Sequence, residues 1–313
     1  MYNNIIIDSF CQANKTFLKD EGEFNISNKP TYKKSICFFI KSIENIVDKY
    51  LSSDGKVYLL FDYFFTKNEL SDIFKNCPNN DDTRRNIDNN YKKNRKQKNN
   101  VFYNSLSLIK YYYSVMPSNY NVLMIRGYEG DDLVPHILNS CEGKNLLVTT
   151  DHDWYKYLNK DTDILSDMSV GAESIYDISN KLGMDIFYNG VVLYKALFGD
   201  VSDNIPSIIS LNESTKSEFL NLYKNNPEDL ILKSRDLTER QNNQILNAIS
   251  KNENRFKINL QLVESLPLDD KRVQDELIIG TDNQTIKNTI RKVVGLDSKC
   301  NKFEFGNMKR KRV

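Results

Sequence analysis

The sequence predicts an α/β protein with a mostly parallel central sheet flanked by helices, followed by a helical C-terminal part. Three observations carry this. Short apolar runs alternate with helix-periodic stretches through the first half of the chain. Nearly every apolar run ends in, or just before, an acid. Beyond about residue 175 the apolar runs cease and helical periodicity continues alone.

The elements follow in order. Asn3–Asp8 (NNIIID) is a short apolar run closed by an acid and reads as the first strand. Ile36, Ile40, Ile43, Val47 and Tyr50 recur at steps of 4, 3, 4 and 3, one face of a helix over 32–50. Lys56–Asp62 (KVYLLFD) is a second strand, again closed by an acid. Phe102, Leu106, Ile109, Tyr113 and Met116 repeat the same steps, so a helix spans about 101–116 until Pro117 stops it. Asn121–Arg126 reads as a third strand and Glu129–Ser140 as a helix. Asn145–Thr149 is a fourth strand, followed at once by Asp151 and Asp153. Val191–Phe198, Ser214–Tyr223, Thr238–Ile249 and Arg255–Val263 read as helices with no strand between them. Residues 66–100 are a polar, basic, Asn-rich insertion with almost no apolar face. The expected division is a unit over 1–200 carrying this insertion and a helical unit over 201–313 ending in a basic tail, Lys309–Arg312.

Composition removes several classes. The chain has 313 residues, 40% hydrophobic and 27% charged, enough to bury a core without staples. No apolar run approaches the ~18–20 residues of a membrane helix. The start, MYNNIIIDSF, shows no signal-peptide pattern, so a cytoplasmic protein without a membrane partner is expected. The five cysteines are scattered without Cys-x-x-Cys spacing, which argues against a disulfide framework or a zinc site. With only His136 and His152, chemistry built on several histidine ligands is nearly excluded. Acids must therefore do the work in any enzyme. Lys+Arg 43 against Asp+Glu 42 leaves +1, a total that on its face argues against a nucleic-acid partner.

The distribution of charge says otherwise. Asp8, Asp62 and the Asp151/Asp153 pair follow candidate strands, and Glu129, Asp131 and Asp132 open a helix after the third. Asp200 and Asp203 lie in GDVSDN, at the junction to the helical part. In an open parallel sheet, sites form beyond the carboxyl ends of the strands, so these nine acids would gather at one edge. Taken singly, an acid after a strand is more often a helix cap. Repetition at successive strand ends favours a site. Crowded carboxylates repel and need compensating cations. An all-oxygen set suits Mg²⁺ or Mn²⁺, and two such ions roughly 4 Å apart can clamp both oxygens of a phosphodiester displacement. Residues 83–98 (TRRNIDNNYKKNRKQK) add seven basic residues and one acid, a net of +6. Lys and Arg suit phosphates and Tyr91 could stack on a base. Acids for metals and bases for phosphates together point to phosphodiester chemistry on nucleic acid.

On these residues the chain resembles the 5′-nuclease superfamily of flap endonucleases and 5′–3′ exonucleases. In length and layout it is most similar to the T-even phage ribonuclease H branch. Asp8 in IIIDSF and Asp62 in LLFDYF resemble the family's first two metal-ligand strands. YKKNR (Tyr91–Arg95) is similar to the Tyr-Lys-x-x-Arg of its helical arch. GYEGDDL, TTDHDW and GDVSDNIP resemble its Glu-x-Asp-Asp, Asp-x-Asp and Gly-Asp-x-x-Asp-Asn blocks. Order and spacing match over about residues 3–270.

The resemblance implies a PIN-like catalytic domain, an arch over 66–100 that orders on substrate, and a C-terminal helix-three-turn-helix in degenerate form. It implies two Mg²⁺ ions, with Mn²⁺ able to substitute. Asp8, Asp62, Glu129 and Asp131 would surround one ion with Asp132 close by, and Asp151, Asp153, Asp200 and Asp203 the other. A metal-activated water would attack, with Lys92 and Arg95 on the scissile phosphate. Arg84, Arg85, Tyr91, Lys93 and Lys96 would contact nucleic acid. Expected substrates are DNA with a 5′ flap or 5′ end and RNA–DNA duplexes. The implied task is primer removal and lagging-strand processing by a monomer, with replication proteins such as a single-strand-binding protein or a clamp as further partners. One stretch departs from the pattern. PSIISLNESTKSEF has no glycine where the family has a Gly-rich hairpin turn, so neither its backbone cradle nor its monovalent cation carries over. Ser207, Ser214, Thr215 and Lys216 are the alternative phosphate contacts. Two other readings stand beside this one. A structure-specific DNA-binding protein that lost its chemistry would be expected to lack acids that are all present here. A PIN-type ribonuclease would be expected to be shorter and to lack the arch.

Overall fold

The computed structural model describes residues 1–17, 22–26, 29–63, 83–96, 98–182, 186, 188–212, 216 and 239–296. A six-stranded sheet lies at its centre: β1 (Tyr2–Asp8), β4 (Leu51–Leu60), β5 (Tyr120–Leu123), β6 (Asn145–Val148), β7 (Thr162–Leu165) and β8 (Ile278–Ile279), in the order β7-β6-β1-β4-β5-β8. Every pairing is parallel except β5 with β8. The expected mostly parallel sheet is therefore present. β2 (Phe24–Ile26) and β3 (Lys29–Thr31) form a separate antiparallel pair.

β1 shows why the chain reads this way. Ile5, Ile6 and Ile7 are all fully buried, because a central parallel strand is covered on both faces. Ile5 and Ile7 face α2 (Lys33–Tyr50) and α4 (Asn100–Ser114), joining a cluster with Ile36, Ile40, Ile43, Leu106 and Ile109. Ile6 faces the other way, toward α5 (Gly130–Ser140) and a short 3₁₀ helix, His152–Tyr157, in a cluster with Leu133, Ile137 and Trp154. The alternation along one strand thus divides the core in two. Tyr112 and Tyr113 are core residues as well.

The predicted helices at 32–50, 101–116 and 129–140 are α2, α4 and α5 within two residues. Those at 191–198, 238–249 and 255–263 are α7 (Tyr188–Phe198), α8 (Glu239–Lys251) and α9 (Glu253–Val263). The expected helix at 214–223 lies outside the described residues apart from Lys216, as do residues 64–82 of the insertion and the basic tail. The elements not foreseen are α1 (Ser9–Thr16), the β2–β3 pair, β7, α3 (Thr83–Ile87), α6 (Ile175–Leu182), α10 (Asp270–Glu276), β8 and α11 (Gln284–Val294).

The last two correct the expectation of a C-terminal part made only of helices. β8 returns to the sheet edge, and α11 lays Ile290 and Val294 into the same cluster as Ile43 and Leu106. Arg291 pairs with Glu44 of α2 and donates to the Tyr112 hydroxyl of α4. The end of the described chain therefore shares the N-terminal core. Ile290→Ala should cost about 2–5 kcal/mol. It should lower a single cooperative transition seen alike by circular dichroism and fluorescence. An early separate transition for the C-terminal segment would contradict the shared core.

Candidate active site

Because β1, β4, β5 and β6 run parallel, their carboxyl ends meet at one edge. Asp8 ends β1 and caps α1: its Oδ1 accepts from Cys11 N at 2.8 Å, and its Oδ2 from the Thr149 hydroxyl at 2.8 Å. Asp62 lies two residues beyond β4 and accepts from Gly130 N at 2.7 Å. A Cβ at Gly130 would stand 3.2 Å from that same oxygen, so glycine permits the close approach. Glu129 caps α5, and Asp151 caps the 3₁₀ helix by accepting from Asp153 N at 3.0 Å. These acids, with Asp131, Lys92 and Arg95, line one cleft of about 420 Å³. Its volume falls within the ~300–1,000 Å³ of ligand clefts.

Asp200 and Asp203 stand beside it. Ligand oxygens of Asp153, Asp200 and Asp203 all lie within 4.8 Å of one another. The loop that holds them turns on Gly199, at φ +79, where a Cβ would meet Ile205 O at 2.7 Å. Asp200 Oδ1 accepts from Ser202 N and the Ser202 hydroxyl at 2.8 and 2.7 Å.

Residues 88–96 form a strap across this loop. Lys92 N donates to Asp203 O at 2.9 Å, Asn94 Nδ2 to Val201 O at 3.2 Å, and Asn204 Nδ2 to Asn90 O at 2.8 Å. Tyr91 packs among Val192, Ile205 and Leu262. Lys92 Nζ donates to Glu129 at 2.6 Å, and Arg95 pairs with Asp203. Hydrogen bonds and ion pairs within the chain thus tie this part of the insertion to the loop.

Three further readings are corrected. Asp132 is fully buried, and both its oxygens are taken by Arg84 and by the backbone N–H groups of Glu129 and Leu266. It offers nothing to a substrate and has no direct catalytic part. Arg84 is 1% exposed and turned inward, so it is not a surface contact for nucleic acid. Tyr91 is buried with its hydroxyl directed at Glu129 and Asp203, so its ring is not free to stack on a base. Arg85, Lys93 and Lys96 are exposed. Lys216 is half-buried, its ammonium over the Tyr194 and Phe198 rings. Trp154 is core, His152 stacks on Tyr155, and His136 pairs with Asp270.

Sequence reasoning missed two cations. Lys195 on α7 donates to Asp200 at 2.6 Å and pairs with Asp153. Lys156, buried in the 3₁₀ helix, lies 3.8 Å from Asp131 and donates to Val263 O. Each is one lysine on a helix, with no spacing to single it out.

Electrostatics separates the acids. Burial, then Glu129 and Asp8, push Asp62 up to about 8. Burial pushes Asp8 up to about 6 despite its donors. Burial also raises Asp131, but Arg84, Lys156 and Lys92 outweigh it and hold that carboxyl at about 2. Asp131 Oδ1 is buried and accepts no hydrogen bond. A buried carboxylate oxygen that accepts no hydrogen bond, beside acids that cannot all ionise together, suits a divalent cation, and among the described residues Asp153, Asp200 and Asp203 have oxygens close enough together to share one.

Residues 3–183 match the family described as "5′-3′ exonuclease, N-terminal resolvase-like domain". That is more than half of the chain, and the protein belongs to this family. DNA polymerase I of Caldicellulosiruptor bescii is 30% identical over 112 residues, 34% of this chain and 13% of the relative. The match thus spans about an eighth of that relative's length. The 5′-3′ exonuclease of Buchnera aphidicola subsp. Schizaphis graminum is 27% identical over 228 residues, 71% of this chain and 70% of that protein. The T5 D15 protein, co-crystallised with metal ions, has a TM-score of 0.61 at 18% identity, covering 93% of this chain and 98% of that one. A second structure of it, described as a bacteriophage T5 flap endonuclease in a pseudo-enzyme–product complex with DNA and metal ions, gives 0.60 at 17%, covering 93% and 97%. At these identities the solved structures establish a shared fold.

The shifted acids set a pH dependence. An acid whose folded pKa exceeds its unfolded one holds its proton more tightly when folded. Stability of the metal-free chain should therefore fall as pH rises from about 5 to about 8. Asp131 and Asp200, both lowered to about 2, contribute in the opposite sense, but only at pH below their ordinary value of 3.8. Were Asp62 a ligand, Mg²⁺ would have to displace its proton, and Mg²⁺ affinity should then rise over the same window. Melting in EDTA and Mg²⁺ titration calorimetry at pH 6 and 8 check both, and a pH-independent affinity would count against the metal site.

Proposed function

We propose that the protein is a metal-dependent 5′–3′ exonuclease and 5′-flap endonuclease. It acts on DNA and RNA–DNA duplexes, and its task is primer removal and lagging-strand processing. The observation that carries this is the convergence of Asp8, Asp62, Glu129, Asp131, Asp151 and Asp153 with Lys92 and Arg95 in one cleft. The family's description, the relatives' names and the T5 protein's complex with DNA and metal ions support the same reading.

Asp8, Asp62, Glu129 and Asp131 would hold one divalent ion, and Asp151, Asp153, Asp200 and Asp203 the second. When bound, such ions supply Lewis-acid charge and an activated water. The chain's own residues do the rest. Lys92 and Arg95 stand at the cleft as charged donors, because Glu129 and Asp203 hold Lys92 protonated against the effect of burial. They bind and orient the phosphate and meet the charge that grows on it. Exposed Arg85, Lys93 and Lys96 add sequence-independent backbone attraction.

A gel with a 5′-labelled flap, a linear duplex, an RNA–DNA hybrid and single-stranded RNA, with and without Mg²⁺, tests the reading. Mg²⁺-dependent release from the first three is expected. Cleavage of single-stranded RNA alone would favour a PIN-type ribonuclease, and binding without cleavage a degenerate DNA-binding protein. Asp153→Asn should abolish cleavage and leave DNA binding measurable. Lys92→Ala should slow single-turnover cleavage by about 10²–10³-fold. Full activity in either variant removes that residue's proposed role.

A further inference from the structure

We infer that Arg84 is a positioning residue, coupling the docking of the strap to the placement of Glu129 and Asp131. The inference rests on the proposed function and concerns a residue outside the reacting set. Arg84 sits on α3, at the base of the strap. Its guanidinium makes five hydrogen bonds, matching its five N–H donors: Nε to Leu262 O at 2.9 Å, one terminal nitrogen to Glu129 and Asp132, the other to Asp132 and Glu264 O. No donor remains for a phosphate.

The acceptors come from two places far apart in the chain, the N-terminus of α5 and the segment leaving α9. Asp132 in turn takes the backbone N–H groups of Glu129 and Leu266 at 3.0 and 2.9 Å. The pair therefore fixes the turn that presents Glu129 and Asp131 to the cleft. Glu129 Oε2 is shared by Arg84, the Tyr91 hydroxyl and Lys92. One donor from α3 and two from the strap thus hold one carboxylate. If the strap lifts, Glu129 loses its orientation, and if Arg84 loses its fork, strap and carboxylate come free together. An apolar filler could match the packing, but only a planar fork bonds both segments at once.

Arg84→Lys keeps the charge and removes the fork. It is compared with wild type at a temperature where circular dichroism shows both folded. Mn²⁺ affinity without DNA should fall about 10–100-fold, the usual cost of losing a group that orients a ligand. Tryptic cutting within residues 92–98 should accelerate, and single-turnover cleavage should slow, together with the loss of Mn²⁺ affinity. Weaker DNA binding with unchanged Mn²⁺ affinity would show a direct phosphate contact and overturn the inference, as would no change in any readout. If the variant does not fold, hydrogen exchange on wild type decides. Added Mn²⁺ should slow the strap amides and the Leu266 amide together, and slowing of the strap alone overturns the inference. Wild type that fails to cleave in Mg²⁺ overturns the functional reading. Wild type that cleaves, beside an Arg84→Lys protein with unaltered Mn²⁺ affinity, overturns only this one.

Discussion

Like charge brought to one edge of a parallel sheet is the constraint on which the rest of the structure turns. Four strands deliver acids to the same cleft because parallel strands end on the same side. Left alone, such a set would neutralise itself by taking up protons: burial first, and neighbouring acids after it, raise Asp8 and Asp62. The chain answers with cations from four separate segments: Arg84 on α3, Lys92 and Arg95 on the strap, Lys156 on the 3₁₀ helix and Lys195 on α7. The strap and α7 meet the edge through these ion pairs, and a small cluster of Tyr91, Val192, Ile205 and Leu262 packs beside them. The 3₁₀ helix also lays Trp154 into the Ile6 cluster of the sheet.

The acids divide by how their oxygens are used. Asp132 has both oxygens occupied by four N–H donors and serves the fold. Asp131, one residue earlier on α5, is held ionised by three cations yet keeps a buried oxygen that accepts nothing. Adjacent residues of identical chemistry thus take opposite parts, because successive side chains on a helix point about 100° apart. One faces the segment leaving α9 and the other the cleft.

That division explains what the sequence could and could not reveal. The strand-end acids were legible because short continuous apolar runs locate the sheet, and the sheet locates its edge. β7, with Asp163 inside a four-residue run, and β8, two residues long, carry too little pattern to be seen. Family likeness marked Glu129, Asp131 and Asp132 as one block, but only coordinates separate cleft from interior. The basic run was read as contacts to phosphate and nucleic acid throughout. Its members sort by direction instead: Arg84 and Tyr91 point inward, Lys92 and Arg95 toward the acids, and Arg85, Lys93 and Lys96 outward. A run of like residues gives no hint of this, because position against a distant partner such as Leu262 O decides it. Lys156 and Lys195 were invisible for the same reason.

The same arrangement bears on the need for cations. Nine acids at the cleft and its floor face six basic groups among the described residues: Lys15, Arg84, Lys92, Arg95, Lys156 and Lys195. With every acid ionised the site keeps an excess of negative charge, which suits divalent cations. The balance also shows why a net charge of +1 is a poor guide to this protein's partners. The total averages a cleft that needs cations with a strap whose exposed lysines suit phosphates. It is the meeting of the two, where Lys92 of the strap pairs with Glu129 of the cleft, that the proposed chemistry uses.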